Sequence, residues 1–407
     1  MGVLVYNISI AIFIFLIKGI ALFNPKVKKW LKQRAETKDD YKKWNLAHKK
    51  TILFHCSSVG ELEQCIPLIE KYEADSYSPI ISFFSISGYQ YALKKYPHYI
   101  ICYLPFDQKK NIQEFIKCIH PTFCVIVKYE LWHHLIQELK RSNIPVFLVC
   151  ARFDKNHVYF KWYASFLKKI LHRITFILVQ DQTSFELLKK QGITHTDITG
   201  DMRFDRNLTL SQQPFHDAII EDFIAGHPVF IAGSIWAKDL EWLQAIMSEI
   251  PKNYKIILAP HEVNHFNTDW IQEPFTTYTH YKKDTATILI LNTVGLLAKT
   301  YRFASLTYIG GGFRDKGLHN TLEAAIYGNP ILIGNKYDTF NEVVEMVDQG
   351  IIISIHDAEE GRKKTRELVQ NPQKIEEIKA KMSAFMHSKT NSTSKNYVYI
   401  NKLLSSI

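Results

Sequence analysis

Glu61 closes the segment Ser57-Ser58-Val59-Gly60-Glu61, which follows the apolar run Thr51–Cys56. A carboxylate in the first helical turn after a strand is placed to take a proton from a hydroxyl group. Gly60 is expected to permit the tight strand-to-helix turn. A competing reading is local: Ser58-x-x-Glu61 is a capping box, and the helix dipole favours an acid in the first turn. On these residues alone the cap is the stronger reading, because the dipole lowers the carboxyl pKa unless burial opposes it. Lys128-Tyr129-Glu130-Leu131-Trp132 repeats the pattern after Phe123–Val127. Glu130 is placed either to bind a sugar hydroxyl or to serve as a first-turn acid, with Trp132 in the core.

Four further segments carry candidates, each after an apolar run. Ala232-Gly233-Ser234 is a small turn that lets backbone N–H groups approach a phosphate, or an ordinary tight turn. In Ala259-Pro260-His261-Glu262, His261 is a phosphate or base contact, or a structural histidine. Gly310-Gly311-Gly312-Phe313 leads through Gly317-Leu318-His319 to a helix expected to begin near Asn320. Its N-terminus suits a phosphate, and Glu323 suits ribose hydroxyls. Asn320-x-x-Glu323 is also a capping box, but three consecutive glycines are harder to explain structurally. The G-x-G-x-x-G spacing of dinucleotide folds is missing. Gly334-Asn335-Lys336-Tyr337-Asp338-Thr339-Phe340-Asn341-Glu342 offers Asn341 and Glu342 as caps or ligand contacts.

These residues need strands to precede them. Thr51–Cys56, Pro79–Ser85, Ile100–Tyr103, Phe123–Val127 and Val146–Cys150 are almost continuously apolar, as parallel strands covered on both faces are. Helical patterns separate them, for example Glu61–Tyr72 and Leu131–Ser142. A second series runs through Phe176–Val179, Val229–Ala232, Lys255–Ala259, Ile288–Leu291, Leu306–Ile309 and Pro330–Ile333. The alternation predicts doubly wound α/β sheets. The 407 residues exceed one ordinary core. The expected division is an anchor over 1–24, a first Rossmann-like domain over 25–206, a polar linker over 207–214 and a second domain over 215–380. Residues 381–407 form a helical segment that packs back on the first domain. Two such domains place strand-end loops on a shared cleft.

Composition narrows the partners. The charged fraction is 22% and the hydrophobic fraction 46%, ordinary for a folded protein. A formal net charge of +10 points to an anionic partner. No nucleic-acid motif accompanies it. None of the six cysteines forms a C-x-x-C pair, so buried reduced thiols are expected, not disulfides or zinc. Val3 to Phe23 is apolar but for a few positions such as Lys18, and Lys26, Lys28, Lys29, Lys32 and Arg34 follow. This reads as an uncleaved anchor with the rest of the chain on the cytoplasmic face, or as an interfacial helix.

Eight stretches, taken in order, resemble the 3-deoxy-D-manno-octulosonic acid (Kdo) transferase family. They are His55-Cys56-Ser57-Ser58-Val59-Gly60-Glu61, Tyr129-Glu130-Leu131-Trp132, Ala151-Arg152-Phe153, Gly200-Asp201-Met202-Arg203-Phe204-Asp205, Ala232-Gly233-Ser234, Ala259-Pro260-His261, Gly310-Gly311-Gly312 and His319-Asn320-Thr321-Leu322-Glu323. The resemblance implies a GT-B glycosyltransferase fold, with two Rossmann-like domains on a central cleft. It implies inverting transfer of Kdo from CMP-Kdo to a lipid A precursor at the bacterial inner membrane, without metal or cofactor. It makes Glu61 the base. Ser234, His261, Gly310, Gly311, Gly312, His319, Asn320, Glu323 and Asn341 become donor contacts, and Ser58, Gly60, Glu130 and Arg152 acceptor contacts. The chain departs from the commoner pattern at His261, which lacks a preceding Arg, at Arg203 in place of Lys, and at Ile235-Trp236 in place of Thr-His. Another GT-B nucleotide-sugar enzyme or a non-catalytic membrane scaffold are the alternatives.

Overall fold

A computed structural model describes residues 2–406 apart from 45, 47, 162–164, 264–265, 284 and 315–316. The chain divides into two compact units. The first is Met1–Arg206 with Thr390–Ile407, and the second is Asn207–Lys389.

The first unit begins with two helices, α1 (Gly2–Phe23) and α2 (Pro25–Tyr41). Asn24 separates them; its side chain accepts from Lys26 N and Val27 N, and Pro25 opens α2. Seven strands follow: β1 (Thr51–His55), β2 (Ser78–Phe83), β3 (Ile100–Tyr103), β4 (Phe123–Val127), β5 (Val146–Ala151), β6 (Phe176–Val179) and β7 (Thr196–Ile198). They pair in parallel in the order β3-β2-β1-β4-β5-β6-β7. Alternation along the strands divides the core between the two faces of the sheet. Leu53, Cys124, Ile126, Val146 and Leu148 enter one cluster. Ile52, Phe54, Phe123, Val125, Phe147 and Val149 enter the other. Burial on both faces is why these strands read as unbroken apolar runs. All six cysteines are free thiols.

The second unit repeats the architecture with β8 (Val229–Ile235), β9 (Lys255–Pro260), β10 (Phe275–Thr277), β11 (Ile288–Ile290), β12 (Leu306–Ile309), β13 (Ile331–Gly334) and β14 (Ile352–Ile355). Their order is β10-β11-β9-β8-β12-β13-β14, again parallel. In each sheet the winding reverses once, between β1 and β4 and between β8 and β12. Open α/β sheets bind ligands outside the carboxyl ends of the strands at such a reversal.

Two expectations are corrected, and three strands are added. Residues 207–214, expected as a linker, belong mostly to the helix Met202–Gln212, and the units divide inside that helix. The stretch is polar and strandless, yet it is helical through Gln212. The expected boundary at 380 falls within one helix, Pro372–Lys389, and the first unit resumes at Thr390. Strands β7, β10 and β14 lie at or beside sheet edges. The first two are three residues long and partly polar, which hides them from a search for apolar runs.

Candidate active site

In the first unit, the loops after β1, β4 and β5 bring Ser57, Ser58, Glu61, Tyr129, Glu130 and Arg152 to one end of the sheet. Helix α3 (Val59–Ala74) starts on Ser58, whose hydroxyl accepts from Glu61 N at 3.4 Å. Glu61 is 7% exposed. Its Oε2 accepts from Ser57 N at 2.5 Å, one residue earlier than a standard capping box requires. Its Oε1 takes no hydrogen bond from the described residues. Cap and base are therefore compatible: one oxygen holds the loop and the other keeps its lone pairs. Burial, then the negative charge of Glu61, push the Glu130 carboxyl above its usual range, and the Ser57 side chain opposes this by hydrogen-bonding it. Ser57 thus contacts both acids. Arg152 lies 3.9 Å from Asp181.

Gly60 does not make the turn expected of it. It lies in the first turn of α3 without a positive φ, and a Cβ there would meet nothing within 4 Å. It is exposed beside the buried Glu61, leaving bare backbone at the helix start.

The Gly200–Asp205 motif secures α3. Asp201 accepts from Gln64 Nε2 at 2.6 Å and lies 2.7 Å from the Arg203 guanidinium. Burial alone would raise the Asp201 carboxyl, but Arg203 and these hydrogen bonds hold it below its usual range. Arg206 pairs with Glu63 at 2.8 Å. Both pairs join α3 to helix Met202–Gln212 just beyond Glu61, and so fix where α3 points.

In the second unit, the loops after β8, β9, β12 and β13 converge likewise. Strand β8 shifts register against β9 between Gly233 and Ile235, and Ser234 there has φ 54°. A positive φ at a serine is strained backbone of the kind that clusters at ligand sites. The three glycines have structural reasons that the sequence did not reveal. A Cβ on Gly310 would lie 2.4 Å from Ser234 O, and one on Gly312 would lie 2.5 Å from Gly334 N. Gly311 has φ 95°. Gly311 N donates to the buried Asp239 at 3.0 Å, and Asp239 also accepts from Trp236 N at 2.8 Å and the Tyr308 hydroxyl at 3.0 Å.

Trp236 stands out in the sequence only as a departure from the commoner pattern, and Asp239 and Arg314 lie outside the motifs read there. The Trp236 ring stacks on His261 at 3.9 Å, and the Arg314 guanidinium lies 3.4 Å from its centroid. Trp236 Nε1 donates to His319 Nε2 at 3.0 Å, leaving the imidazole proton on Nδ1. Burial, then His261 and Arg314, depress the His319 pKa to about 4, so the ring is neutral near pH 7. A helix begins near Asn320 as expected, but it is short, Leu322–Ala325, with Asn320 accepting from Leu322 N and donating to Glu323 at 3.0 Å. Asn341 begins helix Asn341–Asp348. The adjacent Phe340 ring packs where a Cβ on Gly317 would lie, which brings that helix start to the glycine loop. Among the described residues no group of three His, Cys, Asp or Glu side chains is arranged to hold a metal ion.

A family model described as 3-deoxy-D-manno-octulosonic-acid transferase matches residues 29–206. Curated relatives include a bifunctional glycosyltransferase/methyltransferase of Fusobacterium nucleatum, 26% identical over 382 residues. That match covers 88% of this chain but 59% of the Fusobacterium protein. The 3-deoxy-D-manno-octulosonic acid transferase of Haemophilus influenzae is 25% identical, covering 81% of each chain. That of Aquifex aeolicus is 24% identical, covering 74% of this chain and 80% of its own. Among solved structures, the UDP-GlcNAc 2-epimerase of Neisseria meningitidis superposes with a TM-score of 0.61 at 12% identity, over 88% of this chain and 100% of that one. At that identity the likeness speaks for a GT-B fold and nothing more.

Proposed function

We propose that the chain, which is similar to 3-deoxy-D-manno-octulosonic acid transferases over residues 29–206 and beyond, is a divergent member of that family and moves Kdo from CMP-Kdo to a lipid A precursor with inversion. Glu61 takes the proton of an acceptor glucosamine hydroxyl through Oε1. The freed oxygen attacks the anomeric carbon of Kdo while the bond to the CMP phosphate breaks, through an oxocarbenium-like state. The observation that carries this reading is the buried carboxylate at the β1–β4 reversal with one oxygen tethered and one unengaged.

The first unit carries the acceptor side, with Ser58, Gly60, Glu130 and Arg152 around Glu61. The second carries the donor side. Ser234, the Gly310–Gly312 loop, Asn320, Glu323 and Asn341 are the proposed CMP-Kdo contacts, with His261 and His319 beside them. A neutral His319 supplies an Nδ1–H donor, not a charge, and Arg314 supplies the cation for the leaving phosphate. The acceptor is reached from the bacterial inner membrane on its cytoplasmic face.

Incubation with CMP-Kdo and a lipid A precursor, read by mass spectrometry, tests the activity and counts the sugars added. Glu61→Gln is expected to cut transfer at least a thousandfold while CMP-Kdo binding and melting temperature stay near wild type. Near-wild-type turnover in that variant rules out Glu61 as the base.

A further inference from the structure

Helix α1 has the length and composition of a membrane span: 22 residues, about 33 Å, with a mean hydropathy of 2.2 over its most apolar window. Its packing within the first unit contradicts a spanning role. A stripe at helical spacing, Gly2, Tyr6, Ile10, Ile14, Ile17 and Ala21, is shielded while the residues between are exposed. The contacts made by that stripe and by Asn7 and Phe13 at its borders run along most of the helix. A Cβ on Gly2 would overlap the Phe166 ring at 2.8 Å. The Tyr6 hydroxyl donates to Asp107 at 2.6 Å, and Asn7 Oδ1 lies 2.6 Å from His134 Nε2. Phe13 meets Phe84 and Phe106, the rings that Trp30 of α2 also meets. Phe13 and Trp30 lie on either side of the break at Asn24, so α1 folds back along α2 as a hairpin against the unit.

From this geometry we infer that α1 lies in the plane of an anionic bilayer surface as a monotopic wedge, and does not cross the bilayer. A helix that crossed while keeping these contacts would draw Asp107, His133 and His134 to hydrocarbon depth, where polar groups and loop backbone are not tolerated. The face turned away from the unit is apolar throughout: Leu4 is 65% exposed, Phe15 75%, Leu22 80% and Phe23 89%. A continuous patch of this kind marks a lipid or protein contact. The rim selects lipid. Exposed Lys18, Lys26, Lys28 and Lys29 take no ion pair from the described residues, and Lys32 has only Glu36 at 3.7 Å. Such a rim complements phosphate headgroups. A second copy of the chain would instead set the same cations against each other.

The full chain carrying one epitope tag before residue 1 and another after residue 407 is expressed and recovered in sealed, inverted inner-membrane vesicles. Added protease is expected to remove both tags at the same rate. Survival of the first tag until detergent is added, with loss of the second, overturns the inference, because it places the start of α1 across the bilayer. Purified chain is then floated with vesicles. Phosphatidylglycerol vesicles are expected to bind at least tenfold more protein than phosphatidylcholine vesicles, and Leu16→Glu with Ile20→Glu to lower that fraction tenfold at an unchanged melting temperature. A detergent-free dimer that buries α1 and ignores vesicles likewise overturns it. None of these readouts depends on transferase activity.

Discussion

At Gly60 two demands diverge. A glycine in the first turn of a helix weakens it, and alanine is favoured there by about 0.5–1 kcal/mol. The space above Gly60 is open, so the fold places no objection to a methyl group. Gly60→Ala is therefore expected to leave the melting temperature unchanged or slightly raised. If the acceptor approaches the bare backbone beside Glu61, the same change lowers transfer at least tenfold by raising the acceptor KM. Full activity would remove Gly60 from the acceptor surface. His55, the last residue of β1, sets a second expectation. It is fully buried, with Nδ1 near Ser82 O and Nε2 unpartnered among the described residues. Burial depresses its pKa to about 4. The unfolded chain takes up a proton near pH 6.5 that the folded chain refuses until about pH 4. Stability is thus present above pH 6.5 and is lost as pH falls, by an amount on the order of 3 kcal/mol. Urea unfolding of wild type and His55→Asn from pH 7.5 to 4.5 checks this: the variant should show the flatter profile.

Among the elements, the two strand-end loops share a device. A carboxylate reaches back to a backbone amide just before it: Glu61 to Ser57 N, and Asp239 to Trp236 N. In the second unit the same Asp239 also takes Gly311 N and the Tyr308 hydroxyl, so it joins the β8 loop to the glycine loop. Asp239→Ala leaves buried donors without an acceptor and is expected to destabilise the protein by about 3 kcal/mol. CMP-Kdo binding should weaken with it, and Asp239→Asn should recover part of both. A wild-type urea midpoint in the alanine variant would show that the loop holds itself. Strands buried on both faces could be read from the amino-acid order because apolar runs have one cause. The Trp236–Arg314–His261–His319 group could not. It joins three separate loops by stacking, which leaves no spacing to recognise. Asp239 had a faint signal, the x-x spacing from Trp236 that Ser58 and Glu61 also show. The glycine loop was legible as unusual, but its close backbone approaches to Ser234 and Gly334 were not.

For the molecule as a whole, the first unit is discontinuous. Helix Ser392–Leu404 completes it, with Ile400 in the core, Tyr397 packed on Tyr72 and Tyr399 on Phe176. Asp205 anchors the entry by accepting from Asn391 N and Thr393 N, both at 2.6 Å. Asp205→Ala should loosen this return, and limited proteolysis should then cut near residue 390 several times faster than in wild type. Equal rates would show that the apolar contacts suffice. The apolar helix α1 was legible from composition, whereas the side on which it packs depends on Tyr6, Asn7 and Phe13 finding partners some seventy or more residues away. Removing residues 1–24 should shift the protein toward the soluble fraction, and unchanged sedimentation with membranes would assign docking to another surface. The return of the chain also orders its synthesis. The part of the first unit up to Arg206 is made before the second unit, the whole second unit follows, and only then does the segment that closes the first unit appear. The unit carrying Glu61 therefore waits, partly open, until translation has passed residue 404, so a chain halted earlier lacks the helix that closes that unit.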